Sequence, residues 1–401
     1  MTAAQSEKIT LVDLFAGCGG LTQGFHEFVA PGGQTSPFRV LGAVEADTAA
    51  ATTYAANFRA DMGGTEKIFA GDIKEWNPGD LHTDVDVILG GPPCQGFSAL
   101  GKQDPDDPRN QLWRDYIRVV GKLRPKIFLI ENVDRFQRSP EFTELRAATE
   151  PGGELADYHL RCTQLVAADH GVPQARKRTI VLATHRDLVA LHPERLPLTH
   201  PTPTHEKSPD PQGTRLPWQT VTTIFGTPRA PKSALVPTTT ELPKGRVTFF
   251  GKAVPGPFRT DRLHIGRRPT ELSRLRYAAI PPGGNRHDLP PELSTKNWIN
   301  HRSGSGDVMG RLHLDRPSVT IRTEFYKPEK GRYLHPWADR PITHYEAALL
   351  QGFSPDFLWC GSKAQIARQI GNAVPVGLAR ALAAEVYGYL KITENRWHVA
   401  L

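Results

Sequence analysis

The cysteine at position 94 stands in a setting that suits a nucleophile. It follows Pro92 and Pro93, which fix the backbone, and the glycines at 90 and 91 allow the chain to approach a ligand closely. The apolar run at residues 85–89 predicts a buried strand of a parallel sheet directly before this loop. Because ligands bind at the carboxyl ends of such strands, we expect Cys94 at an active-site edge. For an isolated cysteine, a buried structural role is the alternative.

A glycine-rich corner near the start of the chain is the second candidate site. The apolar run at residues 9–15 predicts a strand, the segment 16–21 holds three glycines, and residues 22–28 have a helical pattern. A strand, a glycine turn and a helix together form a nucleotide-type binding corner. Thr22 stands where the fingerprint G-x-G-x-x-G has its last glycine, which argues against a nicotinamide or flavin site.

Carboxylates lie at or after the ends of predicted strands. Glu45 ends the run at residues 40–44, where an acid can bind ribose hydroxyls. Asp72 follows Gly71, and its short side chain could accept a hydrogen bond from an adenine amine. Glu131 ends the apolar run at 127–130 and would share the sheet edge with Cys94. Glu45 or Asp72 alone could be a solvated loop residue, and Glu131 alone could cap the following segment, so their order along the chain carries the weight.

A basic run precedes the predicted strand at residues 179–183. If the strand conformation already begins in this run, side-chain alternation places Arg176 and Arg178 on one face. Taken alone, such a run is more typical of a solvated edge or a phosphate contact.

In chain order, these motifs resemble those of the DNA (cytosine-5)-methyltransferases, the S-adenosylmethionine-dependent family of prokaryotic restriction-modification systems. The resemblance covers residues 11 to about 184 and about 316 to 389. It is carried by the motifs Asp13-Leu14-Phe15-Ala16-Gly17-Cys18-Gly19-Gly20, Glu45, Asp72, Pro92-Pro93-Cys94-Gln95, Glu131-Asn132-Val133, Gln174-Ala175-Arg176-Lys177-Arg178, Arg316-Pro317-Ser318-Val319-Thr320 and Gln369-Ile370-Gly371-Asn372-Ala373-Val374-Pro375.

The resemblance implies covalent catalysis on a cytosine that is flipped out of duplex DNA. Cys94 would attack C6, so that C5 becomes able to accept a methyl group. Glu131 would hold N3 and the exocyclic amine as a general acid or hydrogen-bond donor. Arg178 would reach O2, while Arg176 would support the site or a phosphate, and which arginine does which stays open. A base for the C5 proton is not assigned.

The resemblance also implies S-adenosyl-L-methionine as the cofactor. The residues carried over to its binding are Phe15, Ala16, Gly17, Gly19, Gly20, Leu21, Glu45, Ala46, Asp72, Ile73, Pro92, Asn372 and Val374. Ala46 stands where a larger residue often stacks on the adenine, so we expect Phe15, Ile73 or Leu100 to close that side of the pocket. The four cysteines have no spacing that suits zinc, and no metal is expected.

The predicted fold class is α/β, a doubly wound and mainly parallel sheet of the S-adenosylmethionine-dependent methyltransferase fold with a smaller, irregular target-recognition domain. A chain of 401 residues can bury one large core and one smaller core. The predicted boundaries are 1–190 for the first part of the catalytic and cofactor-binding domain, 191–315 for a connector and the target-recognition domain, and 316–401 for the return, whose C-terminal helix would complete the cofactor pocket.

The predicted target-recognition domain is basic. Its Pro-rich connector at 191–217 is too proline-dense for a regular element. The basic residues could neutralise phosphates of double-stranded DNA, although a solvated surface is the alternative. They are Arg246, Lys252, Arg259, Arg262, His264, Arg267, Arg268, Arg274 and Arg276. A net charge of +7 fits a polyanion partner without proving one.

The sequence thus predicts an enzyme, a DNA (cytosine-5-)-methyltransferase, that modifies one duplex sequence and protects it from a cognate restriction endonuclease acting separately. The alternatives are a tRNA cytosine-5 methyltransferase, which the missing Cys-Phe-Thr triplet disfavours, and a catalytically silent DNA-binding regulator, which the presence of Cys94 and Glu131 disfavours. We expect a location in the prokaryotic cytoplasm, associated with the nucleoid, because no apolar run has membrane-span length and the first residues lack signal-peptide features. We expect a monomer, because a methyltransferase acts on one strand at a time.

Overall fold

The computed structural model describes residues 8–81, 83–93, 112–191, 196–228, 237, 239–300, 303 and 305–397, with side chains through 391. Contacts divide the chain into two compact units. The first contains Met1–Val166, Lys177–Thr202 and Val376–Leu401, and the second contains Ala167–Arg176 and Pro203–Pro375. The boundaries expected from the sequence, at 190 and 316, separate segments by their proposed roles and not by contacts. They stay a prediction.

A seven-stranded sheet forms the centre of the first unit. Its strands are β1 (Ile9–Leu14), β2 (Phe38–Val44), β3 (Ile68–Phe69), β4 (Val87–Gly90), β5 (Ile127–Asn132), β6 (Tyr158–Val166) and β7 (Lys177–His185). The spatial order is β3-β2-β1-β4-β5-β7-β6. The first five strands in this order pair in parallel, and β7 runs antiparallel to both β5 and β6. The predicted α/β fold with a mainly parallel sheet is confirmed.

Burial explains why apolar runs form the central strands. Every residue of β1, β4 and β5 is buried, as expected for parallel strands that are covered on both faces. The edge strand β6 is only half-buried and carries polar side chains. The strand order reverses between β1 and β4, and ligands of doubly wound folds bind outside the carboxyl ends at such a point.

The helices of the described residues surround the sheet or belong to the second unit. They are α1 (Gly20–Glu27), α2 (Thr48–Met62), α3 (Leu112–Leu123), α4 (Pro140–Thr149), α5 (Arg186–Ala190), α6 (Thr222–Phe225), α7 (Glu271–Ala279), α8 (Lys296–Asn300), α9 (His344–Leu350), α10 (Lys363–Asn372) and α11 (Val376–Trp397). None of the helices in this part of the chain combines the length and the apolar character that a membrane span requires.

Helix α11 packs against α1 in the first unit. A Cβ atom on Gly24 would lie 2.4 Å from the Cβ atom of Ala379, so only glycine allows this approach. Leu382, Ala383 and Val386 of α11 are fully buried. From Ala379 onward, the described part of α11 therefore packs into the core of the first unit.

The second unit has short strands and a small core. Its strands are β8 (His205–Glu206), β9 (Leu216–Pro217), β10 (Arg246–Thr248), β11 (Ala253–Pro255), β12 (Phe258–Arg259) and β13 (Leu358–Trp359). The described strands of this unit form three separate pairs. One of them, the parallel pair of β8 and β9, lies in the connector that we expected to have no regular element. The small core contains Tyr277, Ile280, Leu289, Met309 and Leu334.

Candidate active site

The glycine loop between β1 and α1 is fixed by its own backbone and by β2. Ala16 N donates to Val44 O at 3.0 Å, and Gly19 N donates to Ala16 O at 2.8 Å. Phe15, Gly17 and Gly19 have φ values of 56°, 57° and 89°, in the left-handed region. A Cβ atom on Gly17 would have no atom of the described residues within 4 Å. The loop therefore borders open space that a ligand could fill.

Glu45, at the tip of β2, supports the same loop. Its Oε2 accepts from Gly17 N at 2.8 Å, and its Oε1 accepts from Asp47 N at 2.7 Å. Burial raises the pKa of the Glu45 carboxyl, although the N–H groups of Asp47 and Gly17 oppose this change. The side chain stays partly exposed, and each of its oxygens can accept a further hydrogen bond. Glu45 can therefore bind hydroxyl groups beside Gly17.

The expected adenine side of the pocket has a different character. Asp72 is exposed, and its Oδ1 accepts from Lys74 N at 3.0 Å. Ile73 is buried in the core of the first unit, where Phe15 packs against the same cluster. Ala46 is exposed. Leu100, the other residue expected to close the pocket, lies outside the described residues, so the substitute wall stays a prediction.

Glu131 and Arg178 meet at the carboxyl end of β5. Glu131 is 8% exposed, and Arg178 Nε lies 2.6 Å from its Oε1. Arg178 Nη1 donates to Lys177 O at 2.7 Å, which anchors the guanidinium. A Cβ atom on Gly91 would lie 3.5 Å from Glu131 Oε2, so the loop after β4 passes close to this carboxylate.

The loop that leads to Cys94 is tethered to β5. Asn132 Nδ2 donates to Pro92 O at 2.9 Å in a buried hydrogen bond. At the end of β4, a Cβ atom on Gly90 would lie 2.5 Å from Tyr116 Cε2, so glycine is required there. Cys94 itself lies outside the described residues. The sheet edge thus holds Glu131, Arg178 and the tethered start of the cysteine loop.

Arg176 has different surroundings from Arg178. Strand β7 begins at Lys177, so the condition for placing both arginines on one strand face is not met. Arg176 is 2% exposed, and its Nη1 and Nη2 donate to Ile321 O and Gly371 O, each at 2.9 Å. These bonds are of a structural kind, and a catalytic role for Arg176 stays a prediction.

Gln174 of the same motif is also buried in the second unit and forms hydrogen bonds there. Its Nε2 donates to Gln351 Oε1 at 2.8 Å, and its Oε1 accepts from Ile321 N at 2.9 Å. Gln174 therefore links the end of α9, at Gln351, to the backbone of Ile321.

The final motif links two helices. Asn372 is the exposed last residue of α10, Val374 is 7% exposed, and Pro375 directly precedes α11. A Cβ atom on Gly371 would lie 2.4 Å from Thr323 N, which explains the glycine. Cofactor contacts of Asn372 and Val374 stay a prediction.

The described cysteines are poor candidates for the nucleophile. Burial raises the pKa of the Cys18 thiol to about 12, and it also raises the pKa of Cys162. Cys360 is fully buried. Among the described residues, these three form no disulfide, and no cluster of His, Cys, Asp and Glu could hold a metal ion.

Two features of the site were missed by the sequence reasoning. The Asn132 tether joins residues 40 positions apart, and no local pattern reveals such a bond. A buried network of Asp13, Thr22 and Tyr54 lies beneath the glycine loop. The threonine in place of the fingerprint's last glycine was the available signal for this network.

Comparison with known proteins assigns the family. Residues 9–388 match the model of the C-5 cytosine-specific DNA methylases. The chain belongs to this family. Its activity is therefore that of a DNA cytosine-5-methyltransferase, and the resemblance inferred from the motifs is confirmed.

Named relatives match over nearly the whole chain. The chain is 32% identical over 399 residues to the type II methyltransferase M1.HphI of Haemophilus parahaemolyticus, covering 97% of this chain and 88% of the relative. It is 31% identical over 403 residues to the type II methyltransferase M.XorII of Xanthomonas oryzae pv. oryzae, covering 95% and 85%.

Solved structures confirm the fold. An E. coli prophage-encoded protein described as a DNA modification methyltransferase matches with a TM-score of 0.65 and 23% identity, over 96% of this chain and 100% of that chain. A DNMT2 mutant of Spodoptera frugiperda matches with a TM-score of 0.52 and 19% identity, over 95% and 100%.

Proposed function

We propose that the protein transfers a methyl group to C5 of a cytosine flipped out of a specific duplex DNA sequence, through a covalent bond between Cys94 and C6 of the base. The observation that carries this proposal is the Glu131–Arg178 pair at the sheet edge where the tethered cysteine loop begins. Arg178 Nε lies 2.6 Å from Glu131 Oε1. A carboxyl group and a guanidinium together can bind the polar edge of a cytosine.

The proposed reaction passes through a covalent adduct of Cys94 with C6. The Cys94 thiolate forms an S–C6 bond, and the electron pair of the C5–C6 double bond becomes available at C5. C5 would then take the methyl group, and the electron pair of the broken bond would stay with the methyl donor. A base then removes the C5 proton, the S–C6 bond breaks, and the ring regains its aromaticity. The base stays unassigned. Arg178 supplies a positive charge at this edge, and such a charge favours a thiolate.

Glu131 and Arg178 stabilise the ring during attack by the thiolate. In this proposal Glu131 holds N3 and the exocyclic amine, and Arg178 reaches O2, where negative charge develops. Of the two arginines we assign the base contact to Arg178, because Arg176 is buried and donates to Ile321 O and Gly371 O. Arg176 then acts as a structural support.

The glycine corner fits S-adenosyl-L-methionine. The open space at Gly17 can take the cofactor, the Glu45 carboxylate can accept from the ribose hydroxyls, and the exposed Asp72 carboxylate can accept from the adenine amine. When bound, the cofactor supplies the methyl group. In this proposal Phe15 and Ile73 border the adenine, and Asn372 and Val374 complete the pocket.

Double-stranded DNA is the proposed substrate, and the second unit would read its sequence. The basic residues Arg246, Arg262, Arg268 and Arg274 of that unit are exposed and could contact phosphates. Because the relatives are named type II methyltransferases, we further propose that methylation protects DNA from a separate restriction endonuclease. A monomer associated with the nucleoid stays part of this proposal.

Cytosine-conversion sequencing tests the proposal. DNA from a methylation-free host that expresses the wild-type protein should carry 5-methylcytosine in one short sequence context, and DNA from the Cys94→Ala host should carry none. Unmethylated DNA in the presence of soluble, cofactor-binding protein would contradict the proposal and favour an RNA substrate.

A further inference from the structure

A carboxyl group of β1 is buried beneath the glycine loop and has no role in the proposed chemistry. Asp13 is 1% exposed, and its Oδ2 accepts from Thr22 Oγ1 at 2.6 Å. Thr22 Oγ1 lies 2.9 Å from Tyr54 OH, and both of these residues are fully buried. Because a threonine hydroxyl has one proton, which goes to Asp13, the tyrosine donates to the threonine.

Asp13 also takes the place of a helix cap. Helix α1 begins after Gly19, which has no side chain to cap the first turn. The backbone N–H of Thr22, the third residue of α1, donates to the Asp13 carboxyl in addition to the hydroxyl bond. The carboxylate therefore satisfies one of the free donors at the start of the helix, which an N-cap side chain otherwise does.

Tyr54 contacts the loop at a second point. A Cβ atom on Gly19 would lie 3.0 Å from Tyr54 Cδ2 and 2.4 Å from Phe58 Cε2. Two rings of α2 therefore pack against the loop where it enters α1. The loop is held from below by β1 through Asp13 and from the side by α2 through Tyr54.

We propose that Asp13, Thr22 and Tyr54 form a positioning relay that keeps the loop at residues 15–20 in the form that binds S-adenosyl-L-methionine. The relay rests on the proposed cofactor role of this loop and explains why Thr22 replaces glycine there. The three side chains are buried behind the loop, so they act through its backbone and not by touching the cofactor.

The relay also predicts a link between cofactor binding and protonation. Burial raises the pKa of Asp13 to about 7, while hydrogen bonds from Thr22 oppose the change and the charge of Glu45 adds to it. The other titratable groups that face Asp13 are Tyr54, Tyr116 and Cys18, and burial raises the pKa of each. A sulfonium cation favours the ionised carboxylate, so cofactor affinity should rise as the pH passes 7.

Calorimetric titration of S-adenosyl-L-methionine into the full chain without DNA tests the relay, from about pH 6 to about pH 8. Thr22→Val should bind the cofactor about tenfold more weakly, because it leaves the Asp13 carboxylate without its hydroxyl donor. Thr22→Ser should restore most of the affinity. Asp13→Asn should lose the part of the pH dependence that the wild type shows near pH 7.

A matched control and a second variant keep the test decisive. Thr52→Val removes a buried hydroxyl of α2 that donates only to Thr48 O, at 2.6 Å, and should leave the affinity unchanged. Tyr54→Phe keeps the ring against Gly19 and should weaken binding roughly threefold, which carries the test if Thr22→Val does not fold.

Two results would overturn the relay: wild-type affinity in both Thr22→Val and Tyr54→Phe, or an unchanged pH profile in Asp13→Asn. A wild-type protein that binds no S-adenosyl-L-methionine would instead overturn the proposed cofactor, and the relay with it.

Discussion

The two compact units are stabilised by different means. In the first unit, apolar strands are joined by long backbone ladders, and every residue of β1, β4 and β5 is buried. In the second unit the strands are two or three residues long, and buried arginines donate to backbone carbonyl groups. In the second unit, hydrogen bonds from buried arginines stabilise the main chain, as strand ladders do in the sheet. The number of arginines in a sequence is therefore a poor measure of DNA-binding surface.

Arg311 shows this role most clearly. Its guanidinium is 2% exposed and donates to the carbonyl oxygens of Tyr277, Ile280, His335 and Ala338, at 2.5 to 3.0 Å. It also donates to Asp339 Oδ1 at 3.2 Å. Arg332 is similar, since it donates to four carbonyl oxygens and to Asp307 Oδ1. The five donors of a guanidinium make such a hub possible.

The largest expected effect follows from removing this hub. Arg311→Met should lower the free energy of unfolding by about 3–5 kcal/mol, because several buried carbonyl groups lose their donors together. Urea denaturation monitored by circular dichroism measures the loss.

Arg259→Met is the matched control for this change. Arg259 is exposed and paired with Asp261, and surface pairs of this kind contribute little to stability. The midpoint of its transition should stay at the wild-type value. Equal midpoints for Arg311→Met and Arg259→Met would show that the buried arginine does not stabilise the second unit.

The second effect depends on pH and concerns the buried pair of Arg340 and Glu346. Burial would raise the pKa of Glu346, but the hydrogen bonds from Arg340, at 2.7 and 2.8 Å, outweigh it and lower the pKa from 4.5 to about 2. A lowered carboxyl pKa contributes stability that is present above the unfolded value and is lost as the pH falls through the folded value.

Glu346→Gln should therefore be less stable than the wild type by about 3 kcal/mol at neutral pH, and the difference should shrink between about pH 4.5 and pH 2. Urea titrations at several pH values measure this difference. Burial lowers the pKa of the neighbouring His335 to about 3 against the charge of Glu346, so the two residues titrate as a coupled pair and the difference below about pH 4 includes the change at His335. A difference that stays constant down to pH 2 would contradict the assignment.

The sequence predicted the first unit better than the second. The central strands are continuous apolar runs, so periodicity located β1, β2, β4, β5 and β7 to within a few residues. Strand β6 was missed because its exposed edge carries polar side chains. Buried arginines such as Arg311 cannot be recognised from composition, because their partners are carbonyl groups far along the chain that only the fold brings together.

The candidate site divides in the same way. Residues next to strand ends, such as Glu45 and Glu131, could be placed from sequence because the carboxyl ends of parallel strands meet at one edge. The difference between Arg176 and Arg178 could not, since it depends on where β7 begins and on the carbonyl groups of Ile321 and Gly371. Local alternation cannot decide which of two nearby arginines is buried.

The third prediction concerns these two arginines of one motif. Arg176 is buried and bonds backbone carbonyl groups, and Arg178 is the proposed contact to the base. Arg178→Lys should lower kcat/KM by about 30-fold, or about 2 kcal/mol, because an ammonium cannot keep the geometry of the guanidinium beside Glu131. Arg176→Lys should instead lower the free energy of unfolding by about 2 kcal/mol, because two buried carbonyl groups lose their donor.

Methylation kinetics and urea denaturation of both variants separate these effects. The proposed assignment requires that the activity loss per folded molecule be larger in Arg178→Lys and that the stability loss be larger in Arg176→Lys. The reverse pattern would place Arg176 at the base and Arg178 in the structural role.

The smallest effect is expected in the core of the sheet. Ile88 of β4 is fully buried in the apolar cluster of the first unit, and Ile88→Val removes one methylene group. Such a deletion costs about 1 kcal/mol, because the ladder and the neighbouring side chains keep the strand in place. Urea denaturation on the same scale as for Arg311→Met tests the contrast. If both variants lost the same free energy, side-chain hydrogen bonding in the second unit would matter no more than a single methylene of the sheet core, and the two units would not differ in the way their contacts indicate.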